Sequence, residues 1–249
     1  MSPWFPPFEP ATDARMRLFC VPFAGGGAGI YRTWPMVMGP EIQVLAVQLP
    51  GRERRLREAP YTAMAPLVDD LSAAIRPLTD RPWAIFGHSL GGAIAWEVAM
   101  RLHGEGRSPE HLIVSARRSP ELPLPHAPLF ALPDDRMVAE TERHYGPLPA
   151  MLKQHPSLLA TFLPTMRADF QLLDTWRPTQ GVQLACPITT LAGAQDTAVP
   201  PDTMTGWARY TRGPSARHVL QGGHFYVRDN DEARDIVTAT LRAHLGATA

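Results

Sequence analysis

Six short apolar runs recur along the chain, and the stretches between them repeat with a helical period. RLFCVPF (Arg17–Phe23), IQVLAVQL (Ile42–Leu49), WAIFG (Trp83–Gly87), HLIVSA (His111–Ala116), ITTLAG (Ile188–Gly193) and RHVLQG (Arg217–Gly222) are mostly continuous in hydrophobicity. That is what strands buried on both faces require. Helical spacing covers Gly29–Met38, Ala63–Ile75, Leu90–Leu102, Thr203–Tyr210 and Asp229–Leu245. Such alternation predicts an α/β fold, a mostly parallel central sheet with helices on both faces.

One segment breaks the rhythm. From about residue 117 to 178 no convincing strand occurs; the proline-rich RRSPELPLPHAPLFALP opens it, and helical patterns follow near Asp134–Tyr145 and Ser157–Trp176. About sixty residues exceed an ordinary connection, which predicts a helical lid inserted over the end of the sheet of one domain spanning 1–249.

Composition narrows the classes. Lys+Arg and Asp+Glu both count 24, and the absence of a basic tract argues against nucleic acid or an anionic membrane as partner. The opening MSPWFPPFEP lacks the basic-then-apolar order of a secretory signal, and no run of 18 apolar residues could span a bilayer. A cytoplasmic protein without a membrane partner is expected. Cys20 and Cys186 are too few for a disulfide framework and read as reduced, buried thiols.

In WAIFGHSLGGAIAWEVA (Trp83–Ala99) a buried strand turns directly into a helix, and Gly87-His88-Ser89-Leu90-Gly91 at the junction fits G-x-S-x-G. Glycines on either side let strand and helix approach through a tight, strained turn that projects the serine hydroxyl. The helix N-terminus there favours developing negative charge.

A serine hydroxyl is a poor nucleophile unless a base takes its proton, so a histidine and a carboxylate must converge on it, in the chain order Ser, acid, His. His224, in QGGHFYV, follows the last apolar run behind two glycines. Asp196, in LAGAQDTAVPP, follows the run before it on a turn held by Pro200 and Pro201. His103, His126, His144, His155, His218 and His244 read as surface or structural, and Asp169 and Asp174 as solvated carboxylates on a lid helix.

The expected catalytic set is Ser89, Asp196 and His224, with backbone N–H groups of Leu90 and Ala24 as oxyanion donors. Ala24 lies in the glycine-rich loop Pro22–Gly27 after the first strand. No metal is expected.

LFCVPFAGGGAGIYRTWP, VQLPGRERRLREAPYT, FGHSLGGAIAWEVA, SARRSPELP, HPSLLATFLPTMRADFQLLDTW, AGAQDTAVPP and GGHFYV together resemble the type II, stand-alone editing thioesterases of polyketide and nonribosomal peptide biosynthesis. The resemblance implies an α/β-hydrolase fold. It also implies hydrolysis of acyl thioesters held on the phosphopantetheine arm of acyl or peptidyl carrier proteins, clearing misprimed or stalled groups. On this reading the chain needs no cofactor, the phosphopantetheine belonging to the substrate. For its oligomeric state a monomer is the simpler expectation.

Leu158, Leu159, Phe162, Leu163, Met166 and Phe170 are candidate lining for an acyl chamber, or core packing of the lid. Arg52, Arg54, Arg55 and Arg57 are either docking groups for acidic carrier proteins or a solvated basic loop. Two rival activities share these residues. A carboxylesterase, lipase or peptidase would turn over oxygen esters without preferring a carrier, and a noncatalytic carrier-binding protein would escape fluorophosphonate labelling at Ser89.

Overall fold

The computed structural model describes residues 2–7, 14–228 and 230–247. Strands β1 (Met16–Val21), β2 (Ile42–Ala46), β3 (Trp83–His88), β4 (His111–Ser115), β5 (Ile188–Gly193) and β6 (Ser215–Leu220) form one sheet in the order β2-β1-β3-β4-β5-β6. Every adjacent pair is parallel. The helices are α1 (Trp34–Met38), α2 (Met64–Ile75), α3 (Leu90–Gly104), α4 (Asp134–Tyr145), α5 (Ala150–Gln154), α6 (Pro156–Thr175) and α7 (Asp231–Ala247).

Strand alternation divides the core into two layers. Leu18, Cys20, Ala84, Phe86 and Ile113 pack with α1 and α7 on one face, while Phe19, Val21, Ile85, Leu112 and Val114 pack with α2 and α3 on the other. Residues from α4 and α6 join the second layer, so the inserted segment shares a core with α3. The strand order reverses direction between β1 and β3, and in sheets of this kind the crevice outside the carboxyl ends at such a point is where ligands bind.

Several boundaries depart from the apolar pattern. Gly29–Met38 is two pieces, a 3₁₀ turn at Ala28–Tyr31 and then α1, because Pro35 in the first turn of α1 has no N–H with which to continue the preceding turn. The Thr203–Tyr210 pattern is a 3₁₀ helix from Pro201 to Tyr210, whose buried Met204 and Trp207 lie three apart, as three residues per turn demand. Helix α5 lacks enough residues to show a period. Edge strand β6 is mostly exposed up to Val219, unlike the fully buried β3, β4 and β5. Asp229, the expected start of the last helix, lies outside the described residues.

Cys20 and Cys186 are both free and buried. No helix among the described residues is long and apolar enough to cross a membrane.

Candidate active site

Ser89 leaves β3 and enters α3 with φ 56°, a left-handed backbone that non-glycine residues rarely adopt. The neighbouring glycines explain how the chain tolerates it. A Cβ on Gly87 would sit 2.0 Å from the Gly91 carbonyl oxygen, and one on Gly91 would sit 2.2 Å from that of Val21. Strand and helix therefore touch backbone to backbone, as the sequence pattern anticipated. The Ser89 amide donates to the Ser115 carbonyl at 2.8 Å, pinning the elbow to β4.

Ser89, Asp196 and His224 follow β3, β5 and β6, so all three sit outside the carboxyl edge of the sheet, and the structure brings them together. The His224 Nδ1–H donates to Asp196 Oδ2 at 2.8 Å, and Nε2 faces Ser89 Oγ at 2.9 Å, placed to accept its proton. All three residues are buried. Asp196 Oδ1 accepts the amides of Ala198 and Val199 at 3.0 and 2.9 Å. Burial alone would raise the Asp196 carboxyl pKa. The hydrogen bond and charge of His224, with the Val199 amide, outweigh it and hold the carboxyl below its ordinary value.

The two amides expected as oxyanion donors are both without a backbone partner among the described residues. Leu90 is the first residue of α3, so its amide has no carbonyl one turn earlier in the helix. In the β1 loop the Gly25 amide donates to Asp169 Oδ2 and the Gly26 amide to the Phe23 carbonyl, whereas the Ala24 amide has no partner among the described residues. Ala24 and Ser89 line the same cavity.

That cavity, partly open to solvent, holds about 90 Å³ between the sheet edge and the inserted segment. Phe162, Met166 and Phe170 line it, as do Tyr145 and Leu152. Leu158 instead faces solvent, and Leu159 and Leu163 pack against the core. The Tyr145 ring lies 4.8 Å from the His224 ring, and its hydroxyl meets His126 Nε2 at 2.6 Å.

Three groups escaped the sequence reading. His88 is wholly buried; its Nε2–H donates to the His224 carbonyl at 2.8 Å and its Nδ1 meets Ser115 Oγ at 2.8 Å. Burial, reinforced by the neighbouring His224, pulls its pKa down to about 3, so it stays neutral and serves as a strut under the His224 backbone. Its position inside G-x-S-x-G was the only available signal.

Asp169 is not the solvated carboxylate expected of a lid helix but is 1% exposed and bound bidentately by Arg52 at 2.7 Å through both oxygens. Asp174 is likewise engaged, accepting the amides of Leu129 and Phe130 at 2.7 and 3.2 Å. Nor is the arginine run uniformly solvated. Arg52 and Arg55 are buried, Arg55 bonding Glu58 and lying 4.4 Å over the Trp4 ring, which leaves Arg54 and Arg57 exposed. A charge run in sequence does not reveal which members turn inward.

Comparison with known proteins agrees with this architecture. A family model for the thioesterase domain matches residues 16–245. The thioesterase PikA5 of Streptomyces venezuelae is 36% identical over 91% of this chain and 80% of its own length. Among solved structures, RedJ, a thioesterase from the prodiginine biosynthetic pathway in Streptomyces coelicolor, superposes with a TM-score of 0.84 at 35% identity, covering 93% of this chain and 87% of its own. BorB, the type II thioesterase of the borrelidin biosynthetic cluster, gives 0.84 at 34% identity, covering 97% and 96%. The chain is an enzyme of the thioesterase domain family, built on the α/β-hydrolase fold.

Proposed function

We propose that this thioesterase acts as a type II editing enzyme, hydrolysing short acyl thioesters from the phosphopantetheine arm of an acyl or peptidyl carrier protein in polyketide or nonribosomal peptide synthesis. The observation that carries the reading is the unbroken Asp196–His224–Ser89 hydrogen-bond chain opening onto a small apolar cavity.

Ser89 Oγ attacks the thioester carbonyl while His224 Nε2 takes its proton. Asp196 holds the tautomer and stabilises the imidazolium. The oxyanion forms between the Leu90 and Ala24 amides, each donor worth on the order of 3 kcal/mol in the barrier. Collapse breaks the C–S bond, and the departing pantetheine sulfur takes the proton back from His224. A water, deprotonated by His224, then attacks the Ser89 ester, and the carboxylic acid leaves with Oγ reprotonated.

A thiolate leaves more readily than an alkoxide or amine. The imidazolium therefore supplies little acid help, and activated oxygen esters turn over slowly on the same machinery. The cavity's small volume, about 90 Å³, and its apolar lining favour short acyl groups. The reading includes a monomer working in the cytoplasm beside its synthase, with no cofactor of its own.

The test is a hydrolysis panel of acyl groups of graded length presented on carrier protein, on coenzyme A and as simple esters. Expected is fastest release of acetyl or propionyl groups from carrier protein. High turnover on oxygen esters with no preference for the carrier would assign the site to a small-ester hydrolase instead.

A further inference from the structure

We propose that Asp169, gripped by Arg52, is a positioning residue of the oxyanion loop, so that helix α6 and the oxyanion hole form one mechanical unit. The inference rests on the assignment of the Ala24 amide as an oxyanion donor. A carboxylate from the inserted segment reaches into the loop after β1 and binds the amide next to that of Ala24.

The contacts converge from three directions. Asp169 Oδ2 accepts the Gly25 amide at 2.7 Å and Arg52 Nη1 at 2.7 Å, while Oδ1 accepts Arg52 Nη2 at 2.7 Å. Arg52 Nη1 also donates to the Gly26 carbonyl at 3.0 Å, and Arg52 Nε to the Pro50 carbonyl at 3.3 Å. One buried ion pair thus holds the N–H of Gly25 and the C=O of Gly26. With the Gly26 amide closing a turn on the Phe23 carbonyl at 2.8 Å, the Ala24 amide is left beside two engaged neighbours, without a partner of its own among the described residues.

Helix α6 presses on the same loop. Gly25 has φ +74°, and a Cβ there would lie 2.4 Å from Phe162 Cζ, so the phenyl ring rests directly on the loop backbone. Thr165 Oγ1 donates to the Gly51 carbonyl at 2.8 Å, tying α6 to the loop that carries Arg52. Phe162, Thr165 and Asp169 stand at i, i+3 and i+7, one face of the helix. Lifting that face would strip Arg52 of its buried counter-ion, a strongly unfavourable state, and would release Gly25 with it. The hole is therefore complete only beneath a seated α6.

Asp169→Leu and Asp169→Asn test this on both a carrier-bound thioester and a p-nitrophenyl ester, together with affinity for an alkylboronic acid, whose tetrahedral adduct puts an oxygen in the hole. Asp169→Leu is expected to lower kcat on both substrates by on the order of 10- to 100-fold, to weaken the boronate by a similar factor, and to leave KM within about threefold. Asp169→Asn keeps an acceptor for the Gly25 amide but loses the ion pair with Arg52, and should recover part of both losses while staying several-fold below wild type.

A folded Asp169→Leu with wild-type kcat and boronate affinity overturns the proposal, as does a loss confined to KM. Where Asp169→Leu fails to fold, Asp169→Asn decides: kcat and boronate affinity falling together support the coupling, and wild-type values refute it. Wild-type enzyme that turns over the ester but not the carrier thioester would refute the substrate assignment alone, and the coupling would then be read on the ester.

Discussion

The two walls of the cavity are built to different standards of rigidity. On the sheet side, β3, the elbow and the first turns of α3 are buried, and Gly87 and Gly91 leave no room for a single added carbon. On the inserted side, α5 and the start of α6 show much of their surface, with Met151 64% and Leu158 40% exposed. On the proposed mechanism, bond making needs sub-ångström placement of Ser89 and His224, whereas an acyl group needs only an apolar surface of suitable depth. The Arg52–Asp169 pair is where the tolerant wall is fastened to the exacting one.

The largest effect expected from breaking the exacting wall comes from Asp196→Asn. It preserves shape but reverses the tautomer preference of His224, and kcat should fall by on the order of 10³- to 10⁴-fold with little change in melting temperature. Gly91→Ala should cost several kcal/mol in urea unfolding, since its Cβ would collide with the Val21 backbone. Met151→Ser on the tolerant wall should stay within about 0.5 kcal/mol. Equal effects at the two sites would erase the contrast.

His88 gives the sheet side a pH signature. The folded residue stays neutral down to about pH 3, while the unfolded one takes its proton near the ordinary value of 6.5. The unfolded chain therefore binds more protons across that window, and stability falls as the pH falls, by up to about 1.4 kcal/mol per unit from this residue. Urea unfolding from pH 7 to pH 4 should show a shallower loss in His88→Gln than in wild type. On the tolerant wall, Leu152→Ala should deepen the cavity and shift preference toward longer acyl groups by about tenfold in relative kcat/KM, read from a chain-length panel.

How much was legible in the sequence follows the same division. The convergence of Ser89, Asp196 and His224, with the Ala24 and Leu90 amides nearby, was readable because each sits at the end of an apolar run, and parallel strands bring their carboxyl ends to one edge whatever lies between. The elbow was readable because its glycines answer a local steric demand. Asp169 and Arg52 were not, since they stand 117 residues apart and nothing local distinguishes a paired carboxylate on a helix from a solvated one. His88 was hidden for a related reason: its partners, Ser115 and the His224 carbonyl, come from other strands' ends. The 3₁₀ stretch at Pro201–Tyr210 and helix α5 were misread or missed because short segments carry little periodic signal.

The central claim is that Ser89 carries the acyl group between carrier and water. Wild-type enzyme mixed briefly with a propionyl-carrier thioester, quenched in acid and digested, should yield the peptide containing Ser89 with one propionyl group added, formed at least as fast as free propionate. Propionate released while that peptide stays unmodified, with Ser89→Ala still turning over, would contradict it.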